Sequence, residues 1–147
     1  MGKTKIPSNR QINGTHGSVW LDGEKLADVE SFEAKISINY EDVSMAEDLG
    51  THKKMTGWSG EGTLTLKKVY STGITLLAKN LKEGKMPTMN IVGKLADPDA
   101  FGSERVSVEE VTFTEFLLMK FAQKELQTEE LPFAFADFNP IDTIERT

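Results

Sequence analysis

Two alternating stretches, Phe32–Tyr40 and Trp58–Tyr70, constrain this chain more than any other feature. In the first, Phe32, Ala34, Ile36, Ile38 and Tyr40 share one parity, while Ser31, Glu33, Lys35, Ser37 and Asn39 take the other. Successive side chains leave a strand on opposite faces, so this pattern demands a sheet with one apolar and one wettable side. Leu64 and Leu66 between Thr63, Thr65 and Lys67 repeat it in the second stretch. Between the two lies Glu41–Gly57, too long for a tight turn and read as a polar loop; loops of that length are usually functional or disordered.

With 147 residues the chain is expected to be one domain. Its apolar residues come in short two-sided runs, which leaves apolar surface beyond what one core can absorb. No run of about 18 apolar residues occurs, so no membrane-spanning helix and no stable membrane insertion are expected. The first residues carry basic groups without the apolar core of a secretory signal. Without cysteine there are no disulfides or thiolate metal sites. A net charge of −6 opposes tight non-specific DNA binding, which needs clustered Lys and Arg to displace counterions.

In chain order, residues 1–17 read as a flexible polar arm and 18–138 as the β domain. Ser18–Leu21 followed by Asp22-Gly23 predicts a hairpin, because a two-residue I′ turn needs positive φ at both positions. Ile74, Leu77, Ala78 and Leu81 at helical spacing predict a helix over 71–84, with Gly84 as its left-handed stop and Lys79 and Lys82 near its negative end. Pro87–Leu95, Arg105–Met119 and the alternation around Leu131, Phe133 and Phe135 predict further strands. The phase change across Glu109-Glu110 predicts a β-bulge. Pro132 favours an edge or the start of pairing. Leu117–Phe121 fits either strand or helix, and 139–147 reads as a charged tail. About seven strands and one helix give a mainly β fold, an antiparallel sandwich or barrel with one flanking α-helix.

Searching for chemistry yields little. His16 and His52 stand in no triad or metal-ligand spacing. The acidic pairs Glu41/Asp42, Glu47/Asp48, Asp97/Asp99, Glu109/Glu110 and Glu129/Glu130 are neighbours in sequence. That is not the arrangement of two carboxylates flanking a cleft, so a solvated surface is the reading for each. Asp97-Pro98-Asp99 lacks the spaced oxygens of a calcium loop. Gly57, Gly60 and Gly62 are followed by no Gly-Lys-Ser/Thr, and at a strand start they point instead to a bulge or close backbone approach. No catalytic constellation, metal site or cofactor is expected.

Four segments in this order carry a resemblance: GTHGSVWLDGEKLADVESFEAKISINYEDV, GTHKKMTGWSGEGTLTLKKVYS, KLADPDAFGSERVSVEEVTF and EELPFAFADF. Together they resemble the tail tube proteins of contractile-tailed bacteriophages, of the type in PBSX-like defective prophages and phage-tail-like bacteriocins. The likeness covers most of residues 14–138. It departs at Leu117–Gln123, LLMKFAQ, where the resemblance leads one to expect a more polar segment with Trp.

The resemblance implies packed β-sheets similar to type VI secretion tubes, and a non-enzymatic structural role. Hexameric rings stack into a hollow tube inside a contractile sheath, with baseplate or tail-tip and terminator proteins at the ends. DNA is implied only in transit, and assembly in the bacterial host cytoplasm. On that basis Glu33, Lys35, Ser37, Asn39, Thr63 and Thr65 are expected to face the lumen. Met45, Leu49 and Met55, with Glu47, Asp48, Lys53 and Lys54 to set register, are expected to stack one ring on the next. The alternative is a small non-catalytic β-sandwich binding module, for example carbohydrate-binding, which needs an aromatic platform built from Trp20 or Trp58.

Overall fold

The computed structural model describes residues 5–146. Eight antiparallel strands dominate: β1 Gly17–Leu21, β2 Glu24–Leu26, β3 Val29–Ser44, β4 Thr51–Lys67, β5 Met89–Leu95, β6 Glu104–Phe113, β7 Thr128–Phe135 and β8 Asp137–Asp142. They form one hydrogen-bonded path, β2-β1-β5-β6-β7-β4-β3, with β8 added on β6. The path bends at β6. Residues up to Val111 pair with β5 in sheet 1, whereas Thr112 and Phe113 pair with β7 in sheet 2.

The bend is the expected bulge. Val108 and Val111 face Ile91 and Met89, so β6 holds one residue more than its partner, and Glu110 takes a φ of 52°. Asp22 and Gly23, at φ 49° and 85°, make the expected hairpin turn. Pro132 pairs with Thr63, and its carbonyl accepts from Thr114 N on the side where β6 leaves the sheet. Its nitrogen faces that same side, where a donor is not needed.

The core lies between the sheets. Val19, Leu21, Ile91, Val108 and Val111 meet Leu64, Leu66, Leu131, Phe133 and Phe135, with Phe113 edge-on to Phe133. Helix α1, residues 72–82, is a π turn over Ile74–Ala78 running into an α turn over Lys79–Lys82. Gly84 N and Lys85 N donate to Leu81 O and Asn80 O, which makes a Schellman stop. The wider π turn rotates the expected stripe: Leu77 is buried and Leu76 packs on the core, but Leu81 turns out to solvent. Buried Glu129 anchors the helix start, accepting from Gly73 N at 3.5 Å and lying 3.8 Å from Lys68 Nζ.

Four expectations are corrected. Glu41–Gly57 is not a loop, because pairing of β3 with β4 continues to Ser44↔Thr51 and only 45–50 turn. Residues 139–147 are not simply a tail, since β8 pairs with Arg105–Glu109. The arm is tethered over residues 5–17 rather than free. It makes 3-10 turns at Ser8–Arg10 and Gly14–His16; Asn13 N donates to Asp97 Oδ2 and Arg10 Nη1 to Asp99 O. The arm's first four residues lie outside the described ones. Leu117–Phe121 is neither strand nor helix.

Candidate assembly surfaces

One face of sheet 2 is buried and the other is bare. On β7, Glu129, Leu131, Phe133 and Phe135 turn inward while Glu130, Pro132 and Ala134 turn away. The ladder carries that division across the sheet. Glu33 faces Thr63, Lys35 faces Glu61, Ser37 faces Ser59, and Thr63 and Thr65 face Pro132 and Glu130. The six residues expected on a wet wall, Glu33, Lys35, Ser37, Asn39, Thr63 and Thr65, therefore share one face. The sequence reading missed Ser59, Glu61 and Glu130 on it, although Ser59 and Glu61 follow the same odd parity as Thr63. Lys35 lies 4.0 Å from Glu33 and 3.9 Å from Glu61. Such exposed pairs contribute at most about 1 kcal/mol, but they leave the face acidic.

Beyond Ala34 and Gly60 the β3–β4 hairpin leaves the core as a two-stranded arm. Its root is fixed by close approach: a Cβ on Gly62 would collide with Glu33 O, and one on Gly60 with the Phe135 ring. Trp58 packs against Phe135 and edge-on to Phe138 at 5.6 Å. Further out, Ile36, Ile38, Tyr40 and Met55 are exposed on one side of the ribbon. A register shift between Asn39 and Tyr40 marks a bulge, where Thr56 Oγ1 donates to Asn39 O.

The tip is organised by polar contacts. Asp48 Oδ1 accepts from Gly50 N, and Asp48 Oδ2 lies 2.6 Å from His52 Nε2. The His52 hydrogen bond, then that from Gly50 N, holds the Asp48 carboxyl below its ordinary range. Lys53 Nζ meets Asp42 Oδ1 at 2.6 Å, and Lys54 stands opposite Glu41. Met45 and Leu49 protrude, Leu49 fully. The seven stacking candidates thus lie on one arm, but on both of its faces: Lys53 and Met55 share the Tyr40 side, and Lys54 the Glu41 side. Asp42 and His52 were missed as tip partners: the strand register sets Asp42 opposite Lys53, and the turn at 45–50 brings His52 back onto Asp48.

Both histidines lie near carboxylates, since His16 Nε2 is 4.0 Å from Asp97 Oδ1. Hydrogen bonds from Asn13 N and then Asp99 N lower the Asp97 carboxyl. These contacts tie loops together. Trp58 is taken up by Phe135 and Phe138, and Trp20 sits between Lys25 and Arg105, so the two tryptophans share no platform. Among the described residues no helix is long and apolar enough to cross a membrane.

Residues 4–142 match the family described as "Phage tail tube protein". Phage-like element PBSX protein XkdM of Bacillus subtilis (strain 168) is 32% identical over 136 residues, 91% of this chain and 92% of that one. Among solved structures, the PVC sheath/tube terminator of an extracellular contractile injection system superposes with a TM-score of 0.70 at 15% identity, covering 95% of this chain and all of that one (100%). The sheath-tube complex of the same kind of system gives a TM-score of 0.67 at 14% identity, covering 95% and 94% of the two chains. At these identities the two structures speak for the fold, and the aromatic-platform alternative is not favoured.

Proposed function

Because the chain belongs to the phage tail tube protein family, we propose that it is the inner-tube subunit of a contractile phage or phage-like tail. Copies close into hexameric rings, and rings stack into a hollow conduit. The carrying observation is the bare face of sheet 2: a wide β-surface with its core on one side and, on the other, mostly polar and acidic groups with Lys35 and Lys67 the lysines among them. In the ring this face lines the bore. Passing DNA meets Lys35 held between Glu33 and Glu61, with Glu130 beside them and Lys67 apart at the end of β4, so phosphates find no cluster of cations and the polymer slides.

The hairpin arm is the stacking device. Met45, Leu49 and Met55 supply apolar surface to bury on the next ring, while Glu47, Asp48, Lys53 and Lys54 set the angle at which it seats. The sheath surrounds the tube, a baseplate or tail-tip protein starts it and a terminator ends it. The site of action is the virion tail, after assembly in the host cytoplasm. Nothing in this role calls for a bond-breaking step or a cofactor.

Negative-stain electron microscopy over a concentration series tests the reading. The intact chain is expected to give rings and tubes. A variant whose arm is closed after Asn39 by an Asn-Gly turn is expected to give rings that do not stack. Tubes from the shortened variant would remove the arm from stacking. A monomer at every concentration, even with tail-tip protein added as nucleus, would overturn the tube reading.

A further inference from the structure

The sandwich is covered on one flank and open on another. Near β7, helix α1 covers the core: Gly73 lies against Leu131 and Phe116, and Leu77 is buried. Along β3, the last strand of the path, an open groove of about 730 Å³ remains between sheet 2 and the inner face of sheet 1. Its floor is apolar, with Val19, Phe32, Val106 and Val108. Glu30, Glu104 and Lys94 are among its lining residues, whereas Glu33 lines it from a strand position whose side chain turns to the bare face. A volume in this range accommodates several large side chains.

The same molecule carries a matching projection. After Phe113 the chain leaves sheet 2 at the edge opposite β3 and runs through residues 117–124, LLMKFAQK, without regular structure. Leu118, Met119 and Phe121 are 70%, 80% and 71% exposed. The segment has two lysines, Lys120 and Lys124, and no carboxylate. Adjacent exposed Leu, Met and Phe side chains are costly in water and stabilising once buried. Shape and sign therefore agree: an apolar tongue with cations meets an apolar groove rimmed mainly by anions.

We propose that the groove along β3 receives residues 118–121 of a second copy of this chain. Tongue and groove sit at opposite edges of one sheet, so the contact is head-to-tail. Each copy gives with one edge and receives with the other, and such a contact repeats until it closes into a ring. It brings the β3 edge of one copy to the β6 edge of the next, so the open strand edge is covered in the assembly. The inference rests on the ring-forming reading above and names the surfaces that close the ring.

Because the chain has no cysteine, introduced thiols report contacts without background. Ala34 lines the groove and Met119 lies on the tongue. A mixture of A34C and M119C subunits, assembled and then mildly oxidised, is expected to give a disulfide-linked dimer. The double variant is expected to give a ladder that stops at the ring number. M119C mixed with K25C, on β2, is the negative control. The variant L118D/F121D alters only exposed side chains, so its thermal unfolding and circular dichroism should match the parent while rings are lost. Rings with no A34C–M119C link, together with rings from L118D/F121D, would overturn the tongue-and-groove contact and leave the tube reading standing. No rings from the parent chain itself would remove both.

Discussion

The β3–β4 hairpin is two structures on one ladder. Its base, around Phe32, Gly62, Leu64 and Leu66, has a packed face whose leucines are essentially inaccessible to water. Its arm, from Ile36 to Trp58, keeps the same antiparallel pairing but is exposed on both faces. Backbone hydrogen bonds are equally available to both halves, so they cannot account for a difference in stability. A two-stranded ribbon alone is marginal in water. The base holds because side chains pack beneath it; the arm holds because a bulge, an Asp48-centred tip and an aromatic root constrain it. The lesson is that pairing fixes geometry while burial supplies the stability, and the arm has geometry in excess of burial. That excess is what a partner would supply.

Four measurements would break or sharpen this contrast. The largest effect belongs to the base: Phe133→Ala removes a ring stacked on Phe32 and edge-on to Phe113, and it should cost about 3–5 kcal/mol in urea unfolding. A loss below about 1 kcal/mol would mean that the core does not depend on this aromatic cluster. Next, Gly62→Ala sets a methyl against Glu33 O and should cost about 1–3 kcal/mol, because backbone must move. On the arm, Ile38→Ser should change subunit stability by no more than about 0.5 kcal/mol while raising the concentration needed for assembly, read by light scattering. Equal losses for Ile38→Ser and Phe133→Ala would erase the distinction between arm and base.

The smallest effect is local and depends on pH. Asp48 has its folded pKa depressed by His52 and Gly50 N, so its contribution to tip order is complete above the ordinary carboxylate range. It is lost as pH falls through the lower, folded value. Carboxyl NMR titration should show Asp48 releasing its proton below the ordinary aspartate range. Asp48→Asn should loosen amide protection at 45–52 without moving the global unfolding midpoint. An unshifted titration would detach the tip from this pair.

Much of the base was legible in the sequence because burial writes itself into alternation. The parity of Phe32, Leu64, Leu131 and Phe133 marks a sheet with one inner face; Asp22-Gly23, Glu109-Glu110 and Gly84 mark where backbone must turn. The polar face followed from the same parity. The arm did not follow, because with both faces wet Glu41–Gly57 carries no periodicity, and its order lies in the segment pairing with itself across residues 45–50. Strand β8 was hidden for a like reason: its six residues are all exposed, and Asn139-Pro140 reads as punctuation. The N-terminal arm is tethered by Asp97, 84 residues away from Asn13, and no local pattern records such a contact. Glu129 looked like half of a surface acidic pair until β7 turned it inward to α1.

Strand β6 belongs to both sheets, and this has a mechanical meaning. Where two sheets touch only through side chains, a pull on one can slide it over the other at the cost of repacking. Here a load borne along sheet 2 passes into sheet 1 through the peptide bonds of Val111 and Thr112, with the hydrogen bonds to β5, β7 and β8 sharing it on either side of Glu110. A tube built from such subunits transmits axial thrust through covalent backbone, and its weakest links are the contacts between copies rather than those within them.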